Sequence, residues 1–266
     1  MTETTESVLQ VLREPPIAYL VINRPQSHNA LNAEVWRALA VEVNRLAQDD
    51  TIRVLIIRGA GDKAFIAGAD VAEFPAIRAN AELTVAYDKL ANTALQALMD
   101  APQPVIALIN GVCFGGGVLL ALTCDLRLAS AEAQFAIPAG KLGLAYPLQM
   151  GVNRLVKITG AAHAADILFS GRTLTAQEAL AMGLINQVLP QAELESFVRA
   201  YALKMSEGAP LSLQAHKIAI QQAMFDDSGK DEERAEAAIR RCLNSVDYQE
   251  GIAAFLEKRK PKFTGR

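Results

Sequence analysis

Alternation of apolar and polar residues near the start of the chain predicts a β-hairpin. Two short runs rich in β-branched residues, 8–12 and 17–22, flank a Pro-Pro pair. Apolar residues then recur at three- and four-residue spacing through 33–49, which predicts an amphipathic helix. The segment 54–58, apolar up to its last residue, Arg58, is typical of a buried strand. The pattern therefore predicts a fold that begins strand, strand, helix, strand.

The same alternation of strands and helices continues to about residue 130 and then changes. A helix is predicted over 82–99, a strand over 105–109, a helix over 118–124 and a strand over 126–129. This order indicates an α/β fold. Beyond it, only 184–189 interrupts the helical patterns, which cover 161–169, 175–182, 194–205, 210–224, 231–244 and 250–259. We therefore expect an α/β core over 1–191 and a helical region over 192–266.

Composition and charge narrow the classes of function. The 266 residues are 51% hydrophobic, so we expect a soluble globular protein. The net charge of -3 gives no overall positive electrostatic potential that would attract nucleic acid or anionic lipid. Prolines and glycines divide the uncharged stretch 101–124 into pieces too short to span a bilayer. No secretory signal pattern opens the chain, which favours a cytoplasmic location. Cys113, Cys124 and Cys242 show neither disulfide nor metal-ligand spacing, so no metal is expected.

Two glycine-containing turns are the candidate sites of chemistry. Residues 65–70 and 110–117 each lead from a strand into the start of a helix, where backbone N–H groups have no intrahelical acceptor. Two such donors aimed at one oxygen form an oxyanion hole, and losing one donor costs roughly 2.7 to 4 kcal/mol in the transition state. For a glycine triplet alone, tight helix packing would be the favoured interpretation. The G-x-x-x-G-G-G spacing excludes a nucleotide-binding loop.

Short motifs spread along the chain carry a resemblance to a known family. The chain contains Asn29-Ala30-Leu31-Asn32, Phe65-x-Ala67-Gly68-Ala69-Asp70, Asn110-Gly111 followed by Gly115-Gly116-Gly117, Thr123-Cys124-Asp125, the segment 179–185, and Ala254-Phe255-Leu256-Glu257-Lys258-Arg259. In this order and at this spacing, from about residue 8 to residue 262, they resemble the crotonase (enoyl-CoA hydratase/isomerase) superfamily.

The resemblance implies a fold, a substrate and a pair of donors. It implies a spiral of ββα units with a C-terminal helical trimerisation region, and hence a homotrimer or a dimer of trimers. It implies an acyl-CoA thioester as substrate, with no separate cofactor because coenzyme A is part of that substrate. By position, the N–H groups of Ala69 and Gly116 would hold the thioester oxygen and stabilise an enolate.

Further positions are assigned to substrate binding by the same resemblance. They are Arg24, His28, Ala30, Ala67, Gly68, Asp70, Gly115, Leu119, Ala139, Phe255 and Lys258. A surface position is an equal alternative for His28. Asp70 starts a D-x-x-E capping box with Glu73, which favours helix capping for it over catalysis. Phe255 and Lys258 lie on a helix that in the family reaches a neighbouring subunit's coenzyme A.

Two departures from the family pattern bear on the reaction. Hydratases of the family carry glutamates where this chain has Leu119 and Ala139. Neither side chain can transfer a proton, so hydration by two glutamates is disfavoured. Tyr146 is a candidate catalytic residue, because it follows a Leu-Gly-x-x stretch as in family members that decarboxylate methylmalonyl-CoA. Those members carry a histidine where this chain has Ala69.

Three reactions or roles therefore stay open. Decarboxylation yields an enolate without a base. Double-bond isomerisation would need a proton shuttle, for which Glu73, Tyr87 and Asp88 are candidates. An enzyme with either activity would be a lyase or an isomerase. The alternative is a protein without catalytic activity, an acyl-CoA-binding paralogue that kept the pocket but not the acidic residues.

Overall fold

Two β-sheets form the framework of the computed structural model, which describes residues 7–77, 79–146, 151–208, 210–225, 244–259 and 261. Within this part of the chain, six strands form a sheet in the order β1-β2-β3-β5-β7-β10, antiparallel between β1 and β2 and parallel elsewhere. Four shorter strands form a second sheet, β4-β6-β8-β9. The strands are β1 (Leu9–Glu14), β2 (Ile17–Ile22), β3 (Val54–Gly59), β4 (Ala64–Ile66), β5 (Val105–Ile109), β6 (Val112–Phe114), β7 (Leu126–Ser130), β8 (Gln134–Ala136), β9 (Leu174–Thr175) and β10 (Gln187–Leu189).

Ten helices are described, and several begin at side-chain caps. Asn32 and Asn80 accept hydrogen bonds from backbone N–H groups three residues ahead, and Thr175 forms a complete capping box with Glu178. The helices are α1 (Ala33–Ala47), α2 (Phe74–Ile77), α3 (Ala81–Asp100), α4 (Gly116–Thr123), α5 (Val152–Thr159), α6 (Ala161–Ala165), α7 (Ala176–Ala181), α8 (Gln191–Ser206), α9 (Pro210–Phe225) and α10 (Val246–Leu256). Of the helices described, none is long and apolar enough to span a membrane.

The hydrophobic pattern predicted the large sheet but not the small one. The strands predicted at 8–12, 17–22, 54–58, 105–109 and 126–129 are confirmed within two residues at each end. The strands of the second sheet contain only two or three residues, too few for a periodic pattern to show. Each of β4, β6 and β8 follows a long strand of the first sheet, so the chain repeats a long strand and a short strand before it enters a helix. This arrangement confirms the α/β class and the repeated ββα unit.

The core lies on both faces of the large sheet. One face packs against α1, α3 and α4, and the other packs against α8 through Leu194, Val198 and Ala202. Helix α8 begins at the predicted boundary, Gln191, and covers the sheet. The division into 1–191 and 192–266 stays a prediction. Cys242 and most of the helix predicted at 231–244 lie outside the described residues.

The C-terminal helix α10 packs against its own chain, across the 3-10 turn at Ala139–Leu142. A Cβ on Gly251 would overlap the carbonyl oxygen of Leu142, so the two backbones are in direct contact. Tyr248 is fully buried, and its hydroxyl lies 2.8 Å from Thr84 Oγ1 on α3. Helix α10 begins four residues before the predicted start at 250, because Ser245 caps it and accepts from Tyr248 N.

Close contact between α4 and β4 generates a stability prediction. A Cβ added to Gly117 would overlap the carbonyl oxygen of Ile66. Gly117→Ala should therefore lower the free energy of unfolding by about 1–3 kcal/mol, as overpacking does in a tightly packed core. Urea unfolding followed by circular dichroism measures this loss.

The matched control is Gly140→Ala, because no described atom beyond the adjacent residues lies within 4 Å of a Cβ at that position. Equal unfolding free energies for the two variants would contradict the packing described for α4.

Candidate active site

The first glycine-containing turn is fixed by hydrogen bonds to Leu31. Leu31 N donates to Gly68 O at 2.7 Å, and Asp70 N donates to Leu31 O at 2.9 Å. The residue between them, Ala69, is partly exposed, and its N–H makes no hydrogen bond with another described residue. Gly68 has φ +113°, a backbone conformation that favours glycine. The turn therefore holds one N–H donor in place while leaving it open to a ligand.

The second turn places another such donor beside the first. Gly115, with φ +49°, is the N-cap of α4, and its own N–H donates to Ala136 O at 2.8 Å. The N–H of Gly116 starts the helix and, within the described residues, has no acceptor. A Cβ built on Gly116 would lie 3.9 Å from Ala69 N. The two unpaired donors thus border the same space, as an oxyanion hole requires.

Helix α4 favours negative charge at this place. Its eight residues carry no charge, and all except Gly116 are buried. The aligned peptide dipoles leave a partial positive charge at the helix N-terminus, where Gly116 lies. An oxygen that gains negative charge beside Ala69 and Gly116 would meet two hydrogen-bond donors and the positive end of this helix.

Tyr146 is the predicted polar side chain that the fold brings to this space. Its hydroxyl oxygen lies 3.4 Å from a Cβ built on Gly115, and the side chain packs in part against the hydrophobic core. The tyrosine therefore lies beside the second turn. Residues 147–150, which follow it, lie outside the described part of the chain.

Apolar side chains fill the two positions where family hydratases carry glutamates. Leu119 is 3% exposed and Ala139 is 7% exposed. Leu119 contacts Gly151 so closely that a Cβ there would overlap the leucine side chain. Neither position offers a group that transfers protons.

Arg24 and Asp70, predicted to bind substrate, form an ion pair with each other. Arg24 Nη2 donates to Asp70 Oδ2 at 2.6 Å, and Arg24 Nη1 donates to Ala30 O at 2.7 Å. Their side chains are 14% and 12% exposed. Asp70 Oδ1 also accepts from Ala72 N at 3.0 Å, which supports its interpretation as a helix cap. The pair clamps the Arg24–Ala30 segment to the turn that carries Ala69.

Two of the three candidate proton shuttles hydrogen-bond the backbone of residues 31–33, next to the first turn. The predicted capping box of Asp70 with Glu73 is wrong, although Asp70 is an N-cap. Its Oδ1 accepts from Ala72 N and not from Glu73 N, while Glu73 Oε2 accepts from Ala33 N at 2.9 Å at the start of α1. Tyr87 is 6% exposed, and its hydroxyl donates to Leu31 O at 2.9 Å and accepts from Trp36 Nε1 at 3.0 Å. Asp88 is half-buried on α3. Glu73 and Tyr87 therefore fix backbone around Ala69, which explains their place in the structure without proton transfer.

The segment before α1 contains one buried polar residue, Asn29, to which the sequence analysis gave no role of its own. Asn29 is 1% exposed, and its Nδ2 donates to Ala60 O at 3.0 Å and to Ala64 O at 2.8 Å. Its position in the Asn-Ala-Leu-Asn motif is the sequence feature that could have pointed to it. His28 is exposed, and its carbonyl oxygen accepts from Ala67 N at 3.0 Å, so backbone rather than side chain connects it to the first turn.

Helix α10 brings Phe255 to the same side of the molecule. The Phe255 ring centroid lies 6.3 Å from that of Phe74, and Phe74 clusters with Tyr248 and Ile252, against which Ala69 packs. Lys258 is exposed just after the helix, with φ +54°. The packing described here is within one chain, and the contact of Phe255 and Lys258 with a neighbouring subunit stays a prediction.

The cysteines near the site are buried thiols. Burial raises the pKa of Cys113 well above its usual value and that of Cys124 to about 12. Both thiols stay protonated at neutral pH and so lack the thiolate needed for nucleophilic attack. Among the described residues, no group of three histidine, cysteine, aspartate or glutamate side chains lies together as metal ligands would.

The chain is similar to known proteins over nearly its whole length. The family model described as Enoyl-CoA hydratase/isomerase matches residues 13–266. The short-chain-enoyl-CoA hydratase of Clostridium acetobutylicum is 33% identical over 93% of this chain and 94% of its own. A crystal structure of an enoyl-CoA hydratase/carnithine racemase from Magnetospirillum magneticum is 41% identical, with a TM-score of 0.80 over 98% of this chain and 97% of that one. A methylmalonyl-CoA decarboxylase complexed with 2S-carboxypropyl CoA is 30% identical, with a TM-score of 0.90 over 99% and 100%.

The clamp between Arg24 and Asp70 generates a testable coupling. Arg24→Met and Asp70→Asn should each lower the free energy of unfolding by about 1.5–3 kcal/mol, the range for hydrogen bonds to charged groups. Because the two groups bind each other, the double variant should lose less than the sum of the single variants, by about 0.5–3 kcal/mol. Asparagine keeps the oxygen that accepts from Ala72 N, so the cycle isolates the ion pair.

A cycle on Arg45 and Glu42 is the matched control, since these side chains are 55% and 27% exposed. Such a surface pair should couple by about 0.5 kcal/mol or less. Equal coupling energies in the two cycles would contradict the clamp.

Proposed function

Because this chain belongs to the enoyl-CoA hydratase/isomerase family, whose members act on acyl-CoA, we propose that it forms a thioester enolate held by the N–H groups of Ala69 and Gly116. The observation that carries the proposal is that two donors with no acceptor among the described residues border one space, one of them at the start of an uncharged helix. Donors fixed in advance stabilise the oxygen more as it gains charge than they do in the ground state, which lowers the barrier to enolate formation.

The residues around the donors favour decarboxylation over hydration. Adding water to a double bond needs groups that take and give protons, and Leu119 and Ala139 can do neither. In decarboxylation, the bond between the α-carbon and the carboxylate breaks, its electron pair moves into the enolate, and CO₂ leaves. Solvent then supplies the proton to the α-carbon. The proposed substrate is a malonyl-type CoA ester, and the proposed product is the acyl-CoA shorter by CO₂.

Tyr146 and Leu119 are proposed to act on the substrate carboxylate. The Tyr146 hydroxyl lies beside Gly115, where it can donate a hydrogen bond that orients the carboxylate. The buried Leu119 side chain offers no hydrogen bond to the carboxylate charge, which favours its release as neutral CO₂. The likeness to a methylmalonyl-CoA decarboxylase over nearly the whole chain supports this proposal. The histidine of such decarboxylases is absent at Ala69, so only the main-chain N–H acts there.

The proposed assembly is a homotrimer or a dimer of trimers, with coenzyme A entering only as part of the substrate. Ile218 and Ile220 on α9 are 52% and 61% exposed in the single chain. Apolar side chains on a predicted trimerisation region would be covered in such an assembly.

A panel of CoA esters tests the reaction. The purified protein is incubated separately with malonyl-CoA, methylmalonyl-CoA, crotonyl-CoA and a 3-enoyl-CoA, and products are identified by mass spectrometry. We expect loss of CO₂ from a malonyl-type ester and no hydration of crotonyl-CoA. Tyr146→Phe should slow the release of CO₂, because it removes the hydroxyl but keeps the ring. Hydration of crotonyl-CoA without any decarboxylation would overturn the proposal, and binding without turnover would favour the non-catalytic paralogue.

Gly116→Pro tests the oxyanion hole itself. Proline is well tolerated at the first position of a helix, where its missing N–H leaves no intrahelical bond broken. The substitution should therefore reduce kcat roughly 10²–10³-fold while the fold is kept, as loss of one oxyanion donor does elsewhere.

Gly116→Ala is the matched control, because it keeps the N–H and its Cβ would lie 3.4 Å from Leu31 Cδ1, an ordinary contact distance. Circular dichroism verifies that both variants fold. Full activity in the folded proline variant would contradict a role for this N–H.

A further inference from the structure

Two buried guanidinium groups bind the C-terminal end of α4. Arg127, on β7, is 7% exposed, and its Nη1 donates to Cys124 O at 2.7 Å and to Ala121 O at 3.4 Å. Arg154, on α5, is 8% exposed, and its Nη1 donates to Leu122 O at 3.2 Å. Carbonyl oxygens at the end of the helix whose start carries Gly116 are thus bound by arginines from two other elements.

Burying two positively charged side chains at one helix end is unfavourable, because both lose their hydration. Desolvation lowers the pKa of both guanidinium groups, which records how unfavourable their charged forms are in this environment. The last carbonyl oxygens of a helix have no intrahelical donors and carry partial negative charge, so the arginines offset their own burial by satisfying them. Helix α4 has no charged side chain that could serve instead.

The contacts at this end determine where the other end lies. Arg127 Nε also donates to Leu184 O at 2.9 Å, which ties the helix end to the chain just before β10. Eight residues at 1.5 Å each make α4 about 12 Å long, short enough to move as one rigid rod. A shift along its axis at Leu122 would therefore carry the Gly116 N–H with it.

We propose that Arg127 and Arg154 are positioning residues that hold the Gly116 N–H in the oxyanion hole through α4. The inference rests on the proposed function, since it assumes that this N–H contacts the thioester oxygen. The arginines touch no reacting atom, and their effect is on the alignment of the donor. A displacement of about 1 Å can cost up to 10²-fold in rate, so modest movement of the helix would be measurable.

The chain offers a third buried cation as a matched control. Lys217, on α9, is also 7% exposed, and its Nζ donates to Leu98 O at 3.2 Å and Gln103 O at 3.0 Å. It forms an ion pair with Asp125 at 3.0 Å. None of these partners belongs to α4. Lys217→Met therefore removes a buried charge of similar exposure without releasing the carbonyl oxygens of this helix.

The test compares binding of two coenzyme A analogues by calorimetry. One is a nitronate analogue, whose anionic oxygen mimics the enolate, and the other is a thioether, which has no carbonyl oxygen. We expect Arg154→Met to weaken nitronate binding about tenfold and thioether binding less than about twofold, because misalignment affects only the oxyanion contact. In the same variant, kcat should fall while KM changes little. Arg154→Lys, which can still donate to Leu122 O, should recover most of the nitronate affinity, and Arg127→Met should behave like Arg154→Met if it folds.

The outcomes separate this inference from the proposed function. Parallel loss of both affinities in Arg154→Met, or the same selective loss in Lys217→Met, would overturn the positioning role. If the unmodified protein itself shows no preference for the nitronate over the thioether, the oxyanion hole is absent and both proposals fail. Thermal unfolding of each variant verifies that the measured proteins are folded.

Discussion

Two main-chain N–H groups that have no acceptor among the described residues border the same space, and much of the surrounding hydrogen bonding holds them there. The N–H of Ala69 and that of Gly116 come from turns 47 residues apart in sequence, yet the turns are in contact. A backbone donor left without an acceptor is unfavourable unless water or a ligand reaches it, and both residues are partly exposed. The hydrogen bonds around the two residues offset the unfavourable free energy of leaving these donors without a protein acceptor.

Leu31 is the residue on which the first turn depends. Its N–H and carbonyl oxygen bond Gly68 and Asp70, and the same carbonyl oxygen accepts from the buried Tyr87 hydroxyl. The Asp70 carboxylate of this turn also accepts a hydrogen bond from the Arg24 guanidinium. Arg24, Glu73 and Tyr87 thus each bond a backbone group between residues 30 and 33. Their side chains place the Ala69 donor, and the chemistry proposed here is left to main-chain groups and Tyr146.

The reaction proposed for the site depends on two apolar side chains that line it. Leu119 and Ala139 are buried and apolar at the positions where the family pattern of hydratases has glutamates. Neither side chain can give or take a proton. Stabilisation of an enolate oxygen by main-chain donors needs no such side chain. A family scaffold can therefore keep its oxyanion hole while the bond that breaks changes, because the hole acts on the oxygen common to all thioester substrates.

The sequence by itself determined the elements whose pattern extends over several residues. The strands of the large sheet, the capped helices and the two glycine-containing turns are encoded by local spacing and capping, and the motif order was sufficient to indicate the family. The small sheet escaped prediction because strands of two or three residues have no detectable period. Only the tertiary structure decided that Glu73 caps α1, that Arg24 bonds Asp70, and that α10 packs over Ala139–Leu142 of its own chain. Each of these depends on contacts between residues 40 or more apart, which local patterns do not specify.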